Sequence, residues 1–347
     1  MKRRGNFSPR LRMADERSII ERIRRAVPSR ESFRSGLRLG IGDDAAVLAG
    51  TRDSEWVVSA DMFLENVHFL AAHPPDAVGY KALARATSDL TAMGAAPRYF
   101  LLSLALPARR AGKWLDRVLR GMSRAAKRFR LVLAGGDTAE HATVAMSITV
   151  FGEVAPGRAV KRSGARPGDL IFVSGRLGAA QLGLELVRRG LHRERRFRSL
   201  LRPHFYPELR LDLGQWLARP RVGVGKGLVS AMIDTSDGLS TDLANLCRAS
   251  NVGAKLYAEK LPAVQIPEEL ARLRLDSANL ALHGGEDYEL LFCVPASLAR
   301  RIPKAFGGVP LTLIGEITRA KSIRLVDAHT REIRLEAKGW EHFRGLR

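Results

Sequence analysis

Residues 232–239 read Met-Ile-Asp-Thr-Ser-Asp-Gly-Leu and follow a short apolar run at 229–233. This run predicts a buried strand that ends at two carboxylates, Asp234 and Asp237. Gly238 and the amphipathic residues through Cys247 then predict a turn into a helix. Because ligands commonly bind at the strand ends of α/β sheets, two acids three positions apart favour a divalent metal site there. The alternative that stays open is that Asp237 only caps the helix.

Two earlier stretches also carry acids where a predicted element ends. A strand or tight loop at 39–48 contains the pair Asp43 and Asp44, and a strand at 56–59 closes on Asp61. Asp is common at turns and caps, so each of these acids taken alone has a simple structural explanation. Their recurrence on glycine-rich ends of apolar strands favours a shared metal site.

A buried strand predicted at 131–134 leads to Gly-Gly-Asp-Thr at 135–138, which carries Asp137. The helix predicted at 75–93 carries Asp89 on its apolar face. An ionised carboxylate that faces a core is costly unless it is paired or binds a metal, so Asp89 is a strong ligand candidate. Oxygen-only ligation suits Mg²⁺, and so many carboxylates would repel one another without cations, so several ions are expected.

The composition is that of a globular protein with an unusual charge. The chain has 347 residues, 46% hydrophobic and 27% charged, and a formal net charge of +21. The two cysteines lie far apart without metal-ligand spacing, which predicts buried thiols in a reducing compartment. The N-terminus lacks the apolar stretch of a signal peptide, and no apolar run is long enough to span a membrane. We therefore expect a cytoplasmic protein.

Basic residues cluster in two places, an arm at 1–13 and the stretch from Arg188 to Arg202, which is predicted to be irregular. A surplus of this size favours polyanions such as nucleic acid, acidic lipids or phosphorylated small molecules. The clusters lack interleaved aromatic residues and so do not match a platform for single strands. A solvated, arginine-rich surface is the interpretation that we favour for them, and a nucleic-acid-binding function rests on charge alone.

Strands that alternate with helices predict an α/β or α+β protein. A break near Pro156-Gly157 divides the chain into a basic flexible arm at 1–13, an N-terminal domain at 14–155 and a C-terminal domain at 156–347. Familiar nucleotide and hydrolase motifs are missing: residues 223–227 lack the first glycine and the Ser or Thr of a P-loop, and the sequence has no Gly-x-Ser-x-Gly or His-Glu-x-x-His.

An ordered set of motifs resembles the thiamine-monophosphate kinase family over residues 37–343. The motifs are Gly-Ile-Gly-Asp-Asp-Ala at 40–45, Ser-Ala-Asp at 59–61, Asn-Val-His-Phe at 66–69, Tyr-Lys-Ala-Leu-Ala at 80–84, Ser-Asp-Leu-Thr-Ala-Met-Gly at 88–94, Gly-Gly-Asp-Thr at 135–138, Arg-Ser-Gly-Ala-Arg-Pro-Gly-Asp at 162–169, Ile-Asp-Thr-Ser-Asp-Gly-Leu at 233–239, Gly-Gly-Glu-Asp-Tyr-Glu-Leu at 284–290, Lys-Gly-Trp at 338–340 and His-Phe at 342–343. The ordered set is specific, whereas any one motif is not.

The resemblance implies a two-domain fold similar to aminoimidazole ribonucleotide synthetase. Its N-terminal mixed sheet with helices forms a homodimer, and its C-terminal domain is α+β. It also implies direct in-line transfer of the γ-phosphoryl group of ATP to thiamine monophosphate, the last step of thiamine diphosphate biosynthesis. Such a transfer needs positioning and metal ions but no protein nucleophile.

Residue roles follow by position from the same resemblance. The implied Mg²⁺ ligands are Asp44, Ser59, Asp61, Asp89, Asp137, Asp234 and Asp237, of which Asp44, Asp89, Asp137 and Asp234 are expected to be catalytic. The implied nucleotide contacts are Gly136, Arg162 and Ser236. The implied thiamine contacts are His68, Glu286 and Trp340, the last by stacking on a cationic ring. Without the resemblance, Trp340 would be interpreted as a C-terminal core residue.

The chain departs from the family pattern in a few places. Ala60 replaces a usually hydroxylated residue, Arg120 stands where an aromatic residue is typical near the nucleotide, and Glu341 replaces an Asp. A loop at 219–227 resembles an insertion. The sequence leaves open the number of metal ions, the effects of Ala60 and Arg120, and the roles of both basic clusters and of this loop. A related enzyme that activates an amide-type oxygen by phosphorylation is the main alternative.

Overall fold

The structure is a computed structural model, and it describes residues 16–26, 36–220 and 227–341. The predictions for the arm at 1–13, for most of the loop at 219–227 and for His342 and Phe343 lie outside the described residues.

The first half of the chain forms a six-stranded sheet with helices. The strands are β1 Leu37–Leu39, β2 Ala46–Ala49, β3 Glu55–Leu64, β4 Ala96–Leu106, β5 Val132–Glu140 and β6 Ala145–Val154, and the helices are α1 Glu16–Ala26, α2 Pro75–Ala92 and α3 Lys113–Phe129. The sheet order is β1-β2-β3-β6-β4-β5, and β5 pairs parallel to β4 whereas the other neighbours are antiparallel. The sheet is therefore mixed, as expected.

The second half forms a larger sheet, again with helices. Its strands are β7 Leu170–Ser174, β8 Ala231–Asp234, β9 Gly253–Tyr257, β10 Leu290–Val294, β11 Ala305–Phe306, β12 Val309–Thr318, β13 Ile323–Val326 and β14 Glu332–Arg334, and its helices are α4 Ala179–Arg188, α5 Arg198–Phe205, α6 Leu211–Ala218, α7 Leu239–Ala249 and α8 Ser277–His283. The order is β14-β13-β9-β12-β7-β10-β8, with β11 paired to β12. This mixture of strands and helices confirms the predicted α/β (α+β) fold class.

Helix α2 lies between the two halves and positions the site. It begins with Pro75 in its first turn, which suits proline because the missing N–H has no partner there. It ends at Met93 before Gly94, whose φ of +70° favours glycine. Most of its residues are buried, since one side packs on the six-stranded sheet and Ala92 packs with Phe172 and Met232 of the other sheet. A helix buried on all sides can bring its polar residues to a site inside the molecule.

Two predictions about local structure were wrong. Residues 131–134 were expected to be a buried strand, but β5 is exposed throughout because it is the edge strand of its sheet and nothing in the described chain covers it. The basic segment after α4 was expected to be irregular. Instead, short 3₁₀ turns at Leu191–Arg193 and Arg195–Phe197 lead into α5, because Phe197, Leu201 and Phe205 give it a buried face.

No helix among the described residues combines the length and the apolar character that a membrane crossing requires.

Candidate active site

Three carboxylates from distant parts of the chain meet between the two halves. Asp44 precedes β2, Asp89 lies in the last turns of α2, and Asp234 ends β8. One carboxylate oxygen from each of the three residues lies within 4.8 Å of the oxygens from the other two. Asp44 and Asp234 are buried, and Asp89 is partly exposed. The structure thus brings together three of the acids that were predicted from separate motifs.

Each of these carboxylates is held by a neighbouring side chain. The Arg162 guanidinium donates to Asp44 Oδ1 through Nε at 3.0 Å and Nη2 at 2.6 Å. The Ser59 hydroxyl donates to Asp89. The Ser88 hydroxyl donates to Asp234 Oδ2 at 2.5 Å. These bonds fix the orientation of the three acids, and of the three only Asp44 accepts hydrogen bonds from a cationic side chain among the described residues.

The cluster carries more negative charge than its surroundings neutralise. Burial, followed by repulsion from Asp44, raises the pKa of Asp234 to about 7. Burial and then the charge of Asp61 raise the pKa of Asp89 well above its ordinary value. Burial also raises the pKa of Asp44, although Arg162 opposes the shift. Shifts of this kind mark groups that gain from a bound cation.

The donor set fits a hard divalent cation. All three groups are carboxylates, which are the ligands that Mg²⁺ prefers. Asp44 Oδ2 is buried and has no hydrogen-bond partner among the described residues. A buried acceptor without a partner is costly, and a metal ion at this position would satisfy it.

Asp61 and Asp237 lie at the edge of this cluster. Asp61 Oδ2 is 3.5 Å from Arg85 Nε, so a cation already faces it. Burial, opposed by Arg85, raises the pKa of Asp237 to about 6. The N-cap position of α7 is Gly238, and Asp242 Oδ2 accepts the backbone N–H groups of Asp237 at 3.2 Å and Gly238 at 2.9 Å. The alternative that Asp237 caps α7 is therefore wrong, since Gly238 is the N-cap residue and no side chain makes a capping hydrogen bond there.

Asp137 and Gly136 lie apart from the three acids in the single chain. Both are on the exposed strand β5, which is three strands from β3 and hence roughly 14 Å away at about 4.8 Å per strand. A Cβ at Gly136 would lie 1.8 Å from the carbonyl oxygen of Leu102, so strand pairing itself requires glycine here. Two roles therefore stay predictions: Asp137 as a metal ligand and Gly136 as a nucleotide contact.

A cavity of about 610 Å³ opens beside Asp237. Its lining contains Ser236 and all three residues expected to contact thiamine, namely His68, Glu286 and Trp340. The His68 ring is buried, accepts the Leu64 N–H at 2.9 Å and stacks on Phe63. The structure thus gathers residues from three distant motifs around one space.

The C-terminal stretch closes one side of this cavity. The backbone N–H of Trp340 donates to the backbone oxygen of Asp237 at 2.9 Å, and the backbone N–H of Gly339 donates to Thr241 Oγ1 at 3.0 Å. A Cβ at Gly339 would lie 2.0 Å from Asp237 O, so only glycine allows this approach. Trp340 is 44% exposed. It is therefore not the C-terminal core residue that would be expected without the family resemblance.

A buried polar network orients Glu286, and sequence patterns did not reveal it. The Lys81 ammonium, on α2 and 1% exposed, donates to Glu286 Oε2 at 2.7 Å and lies 3.3 Å from His204 Nδ1. His204 Nε2 lies 2.8 Å from His73 Nε2, and the Leu70 N–H donates to His73 Nδ1 at 3.1 Å. Burial and then the charge of Lys81 lower the pKa of His73 to about 3, so this ring is neutral.

The hydrogen bonds of the network fix the tautomer of one ring. His73 Nδ1 accepts a backbone N–H, so the proton of this neutral ring is on Nε2, which faces His204 Nε2. Burial and then Lys81 lower the pKa of His204 well below its ordinary value, so this ring is neutral as well, and its Nδ1 lies 3.6 Å from Glu286 Oε2. The Lys81 ammonium is the donor within hydrogen-bond distance of Glu286 Oε2. Polar residues on a helix with no exposed face are the only local signal for Lys81.

Comparison with known families gives two domain matches. Residues 42–154 match the model for the N-terminal domain of AIR synthase related proteins, and residues 166–328 match the model for the C-terminal domain.

Individual relatives cover most of the chain. A thiamine-monophosphate kinase from Synechococcus elongatus is 37% identical over 87% of this chain and 91% of its own, and one from Bacillus subtilis is 32% identical over 92% and 98%. The solved structure of AaThiL complexed with AMPPCP and TMP matches with a TM-score of 0.81 and 30% identity over 97% of this chain and 99% of that one.

Proposed function

Because the chain belongs to the thiamine-monophosphate kinase family of AIR synthase related proteins, we propose that it transfers the γ-phosphoryl group of ATP to thiamine monophosphate with Mg²⁺. The product is thiamine diphosphate. The observation that carries this proposal is the meeting of Asp44, Asp89 and Asp234 beside a cavity lined by the residues expected to contact thiamine. ATP as co-substrate is supported by the AMPPCP and TMP found together in the similar solved structure.

The three carboxylates would hold Mg²⁺, with Ser59, Asp61, Asp137 and Asp237 as the further proposed ligands. Bound Mg²⁺ supplies neutralisation of the charge on the transferred phosphoryl group. Arg162 keeps Asp44 in place and brings a positive charge to the same region, where the nucleotide phosphates are expected together with Ser236 and Gly136. The acceptor is already a phosphate anion, so an in-line transfer needs neither a protein nucleophile nor a strong general base.

The 610 Å³ cavity is the proposed thiamine site. Its volume lies within the range of small-molecule pockets, about 300–1000 Å³. Thiamine carries a cationic ring, and Trp340 offers a partly exposed indole to such a ring. Glu286, oriented by Lys81 and His204, offers a carboxylate to a cation or a hydrogen-bond donor.

A homodimer built on the edge of the six-stranded sheet is part of the proposal. Strand β5 presents unpaired backbone groups together with Val132 and Leu133, which are 59% and 55% exposed. Exposed edge strands with apolar residues are typical sites of pairing with another chain. A second copy on this edge would cover Gly136 and Asp137, the two predicted site residues that stand alone in the single chain.

Two further predictions remain proposals. We propose that residues 14–155 and 156–347 form the two domains of the chain, and that the protein is located in the cytoplasm. The location is supported by Cys247 and Cys293, which are both buried free thiols, and burial raises the pKa of Cys247 to about 12.

The direct test is to incubate the purified chain with ATP, Mg²⁺ and thiamine monophosphate and to quantify thiamine diphosphate by chromatography. We expect one ADP per thiamine diphosphate and no product when Mg²⁺ is replaced by EDTA. ATP turnover with another acceptor, and none with thiamine monophosphate, would favour the related amide-activating enzymes. No turnover, together with tight and steeply salt-dependent duplex binding, would favour a nucleic-acid-binding protein instead.

A further inference from the structure

A second cavity, of about 1250 Å³, lies away from the three carboxylates. We call it the basic groove. Its charged lining residues are Arg124, Lys127, Arg128, Arg193, Arg195, Arg198 and Arg202, with Asp76, Glu194 and Glu208. Among the described residues it shares no lining residue with the 610 Å³ cavity. The groove is therefore a separate feature from the proposed active site.

The groove lies between the two halves of the chain. One wall is the last two turns of α3, which present Arg124, Lys127 and Arg128. The facing wall is the segment from Arg193 to Arg202, formed by the 3₁₀ turns and α5. Because Phe197, Leu201 and Phe205 are buried, α5 directs its arginines away from the core and toward the groove. The second basic cluster of the sequence thus forms part of a concave surface.

Each acid in the groove already has an ion-pair partner, either outside the groove or, for Glu208, the groove residue Arg202. Asp76 Oδ1 is 3.0 Å from Arg117 Nη2, and its Oδ2 accepts the Tyr206 hydroxyl at 2.5 Å. Glu194 pairs with Arg196 at 2.6 Å, and Glu208 pairs with Arg202 at 2.7 Å.

Most of the cations in the basic groove, in contrast, lack a nearby carboxylate. Five of them have no carboxylate within 4.0 Å in the part of the chain that the structure describes: Lys127, Arg128, Arg193, Arg195 and Arg198. The groove therefore has unneutralised positive charge on both walls.

Aromatic rings support the cationic walls. The Arg124 guanidinium lies 5.0 Å from the Tyr206 ring centroid and 5.8 Å from that of Tyr80, and Phe205 also lines the groove. Stacking of this kind orders a guanidinium before any ligand arrives. His192 Nδ1 is buried in the groove wall and has no hydrogen-bond partner among the described residues. A ligand oxygen that formed a hydrogen bond with this nitrogen would remove the free-energy cost of burying it unpaired.

We infer that the basic groove binds the polyphosphate group of a small molecule, at a site distinct from the kinase centre. Guanidinium groups bind phosphate oxygens by paired hydrogen bonds, and five unneutralised cations call for several negative charges rather than one. The cavity of about 1250 Å³ leaves room for a ligand of nucleotide size, whereas a nucleic-acid duplex is convex and does not enter a cavity of this size. Free polyphosphate and a nucleoside triphosphate share the chemistry that the walls recognise.

Titration calorimetry with inorganic triphosphate tests this inference. The buffer contains EDTA and 0.15 M salt, so that metal-dependent binding at the three carboxylates does not contribute. We expect the triple substitution Arg193→Ser, Arg195→Ser, Arg198→Ser to weaken binding at least tenfold. The matched control is Arg300→Ser, Arg301→Ser, Arg319→Ser, which removes the same charge from exposed arginines elsewhere and should change the Kd less than twofold.

A second set of titrations, with ATP in place of triphosphate, identifies the molecule that carries the phosphate groups. Equal affinity for triphosphate and ATP indicates that the phosphate chain alone is recognised, and tenfold tighter binding of ATP indicates a nucleotide. Equal weakening by both triple variants would show general attraction to a basic protein and would overturn the site. Absence of binding, or much tighter binding of a single-stranded oligonucleotide than of triphosphate, would overturn it as well. Unchanged thiamine diphosphate formation by the groove variant shows that it is folded.

Discussion

The three central carboxylates are oriented by hydrogen bonds but are not neutralised. Asp234 accepts a hydrogen bond from one serine hydroxyl and Asp89 from another, and in the part of the chain that the structure describes only Asp44 of the three is hydrogen-bonded to a guanidinium. Between pH 4 and 7 the folded chain therefore keeps a proton on Asp234 that the unfolded chain has released, since the folded pKa is about 7 and the ordinary value 3.8. Stability from this group is present at low pH and is lost as the pH rises through 7.

Replacing Asp234 by Asn should remove this dependence. In EDTA we expect the variant to gain stability relative to the wild type as the pH rises from 5 to 8, by on the order of 1 kcal/mol or more. Added Mg²⁺ should raise the melting temperature of the wild type at pH 8 but leave the variant almost unchanged, because the ion binds the deprotonated acids. Thermal melts at both pH values measure this, and an equal Mg²⁺ effect on the two proteins would contradict it.

We propose that Lys81, which is buried and paired with Glu286, acts through this carboxylate rather than on a substrate. Removing one partner of a buried ion pair lowers the free energy of unfolding by about 3–5 kcal/mol. We expect a cost of about 3 kcal/mol here, because Glu286 borders the cavity and keeps some contact with solvent. Lys81→Met should therefore lower the unfolding free energy by about 3 kcal/mol. It should also raise the KM for thiamine monophosphate more than it lowers kcat. Lys255→Met, which breaks the exposed pair with Glu332, is the control and should change neither. A loss of kcat with an unaltered KM would contradict the positioning role.

At the residue scale, the sequence allowed prediction of the acids but not of the groups that hold them. Asp44 and Asp234 stand at element ends beside glycines, and this local pattern is visible along the chain. The partners Arg162 and Ser88 lie 118 and 146 positions away from them. Pairs at such separations depend on the tertiary fold, so residue spacing does not reveal them.

At the scale of elements, α2 and α3 cross in close contact. Gly121 and Gly79 lie where the two backbones meet, and a Cβ at Gly121 would lie 1.8 Å from the Asp76 carbonyl oxygen. The two glycines therefore set the separation of the helices. Since α2 also carries Lys81 and Asp89, this crossing positions residues of both proposed substrate sites.

Gly121→Ala should force the helices apart. We expect a loss of about 1–3 kcal/mol in unfolding free energy, the usual cost of overpacking, with a lower kcat from the displaced Asp89. Ser123→Ala, on the exposed face of the same helix, should change stability by less than about 0.5 kcal/mol. Urea denaturation of both variants measures the difference, and equal midpoints would show that the crossing tolerates a side chain.

The elements themselves were predicted unevenly. The helix predicted at 75–93 is found as α2, and its ends differ from the prediction by no more than one residue. Strand β5 was assigned to the interior because Leu131, Val132 and Leu133 are apolar, and only the strand order shows that it lies at an edge. The basic segment before α5 masked a helix, because its arginines outnumber the three apolar residues that face the core.

At the scale of the whole molecule, the exposed edge of the six-stranded sheet predicts self-association. Leu133→Glu places a charge on the proposed interface and should convert a dimer to a monomer in sedimentation velocity experiments. Leu119→Glu, on the exposed side of α3, is the control and should leave the dimer intact. A wild-type chain that sediments as a monomer at micromolar concentration would contradict the proposed dimer.

The central claim is that carboxylates from both halves of the chain hold the metal for phosphoryl transfer. The most direct measurement is the kcat for thiamine diphosphate formation by Asp234→Asn at saturating ATP, thiamine monophosphate and Mg²⁺. We expect a decrease of at least about 100-fold, because the lost metal contact is worth several kcal/mol in the transition state. Asp212→Asn, which alters an exposed acid on α6, should keep the wild-type rate. An Asp234→Asn variant with a near-normal kcat would contradict the claim.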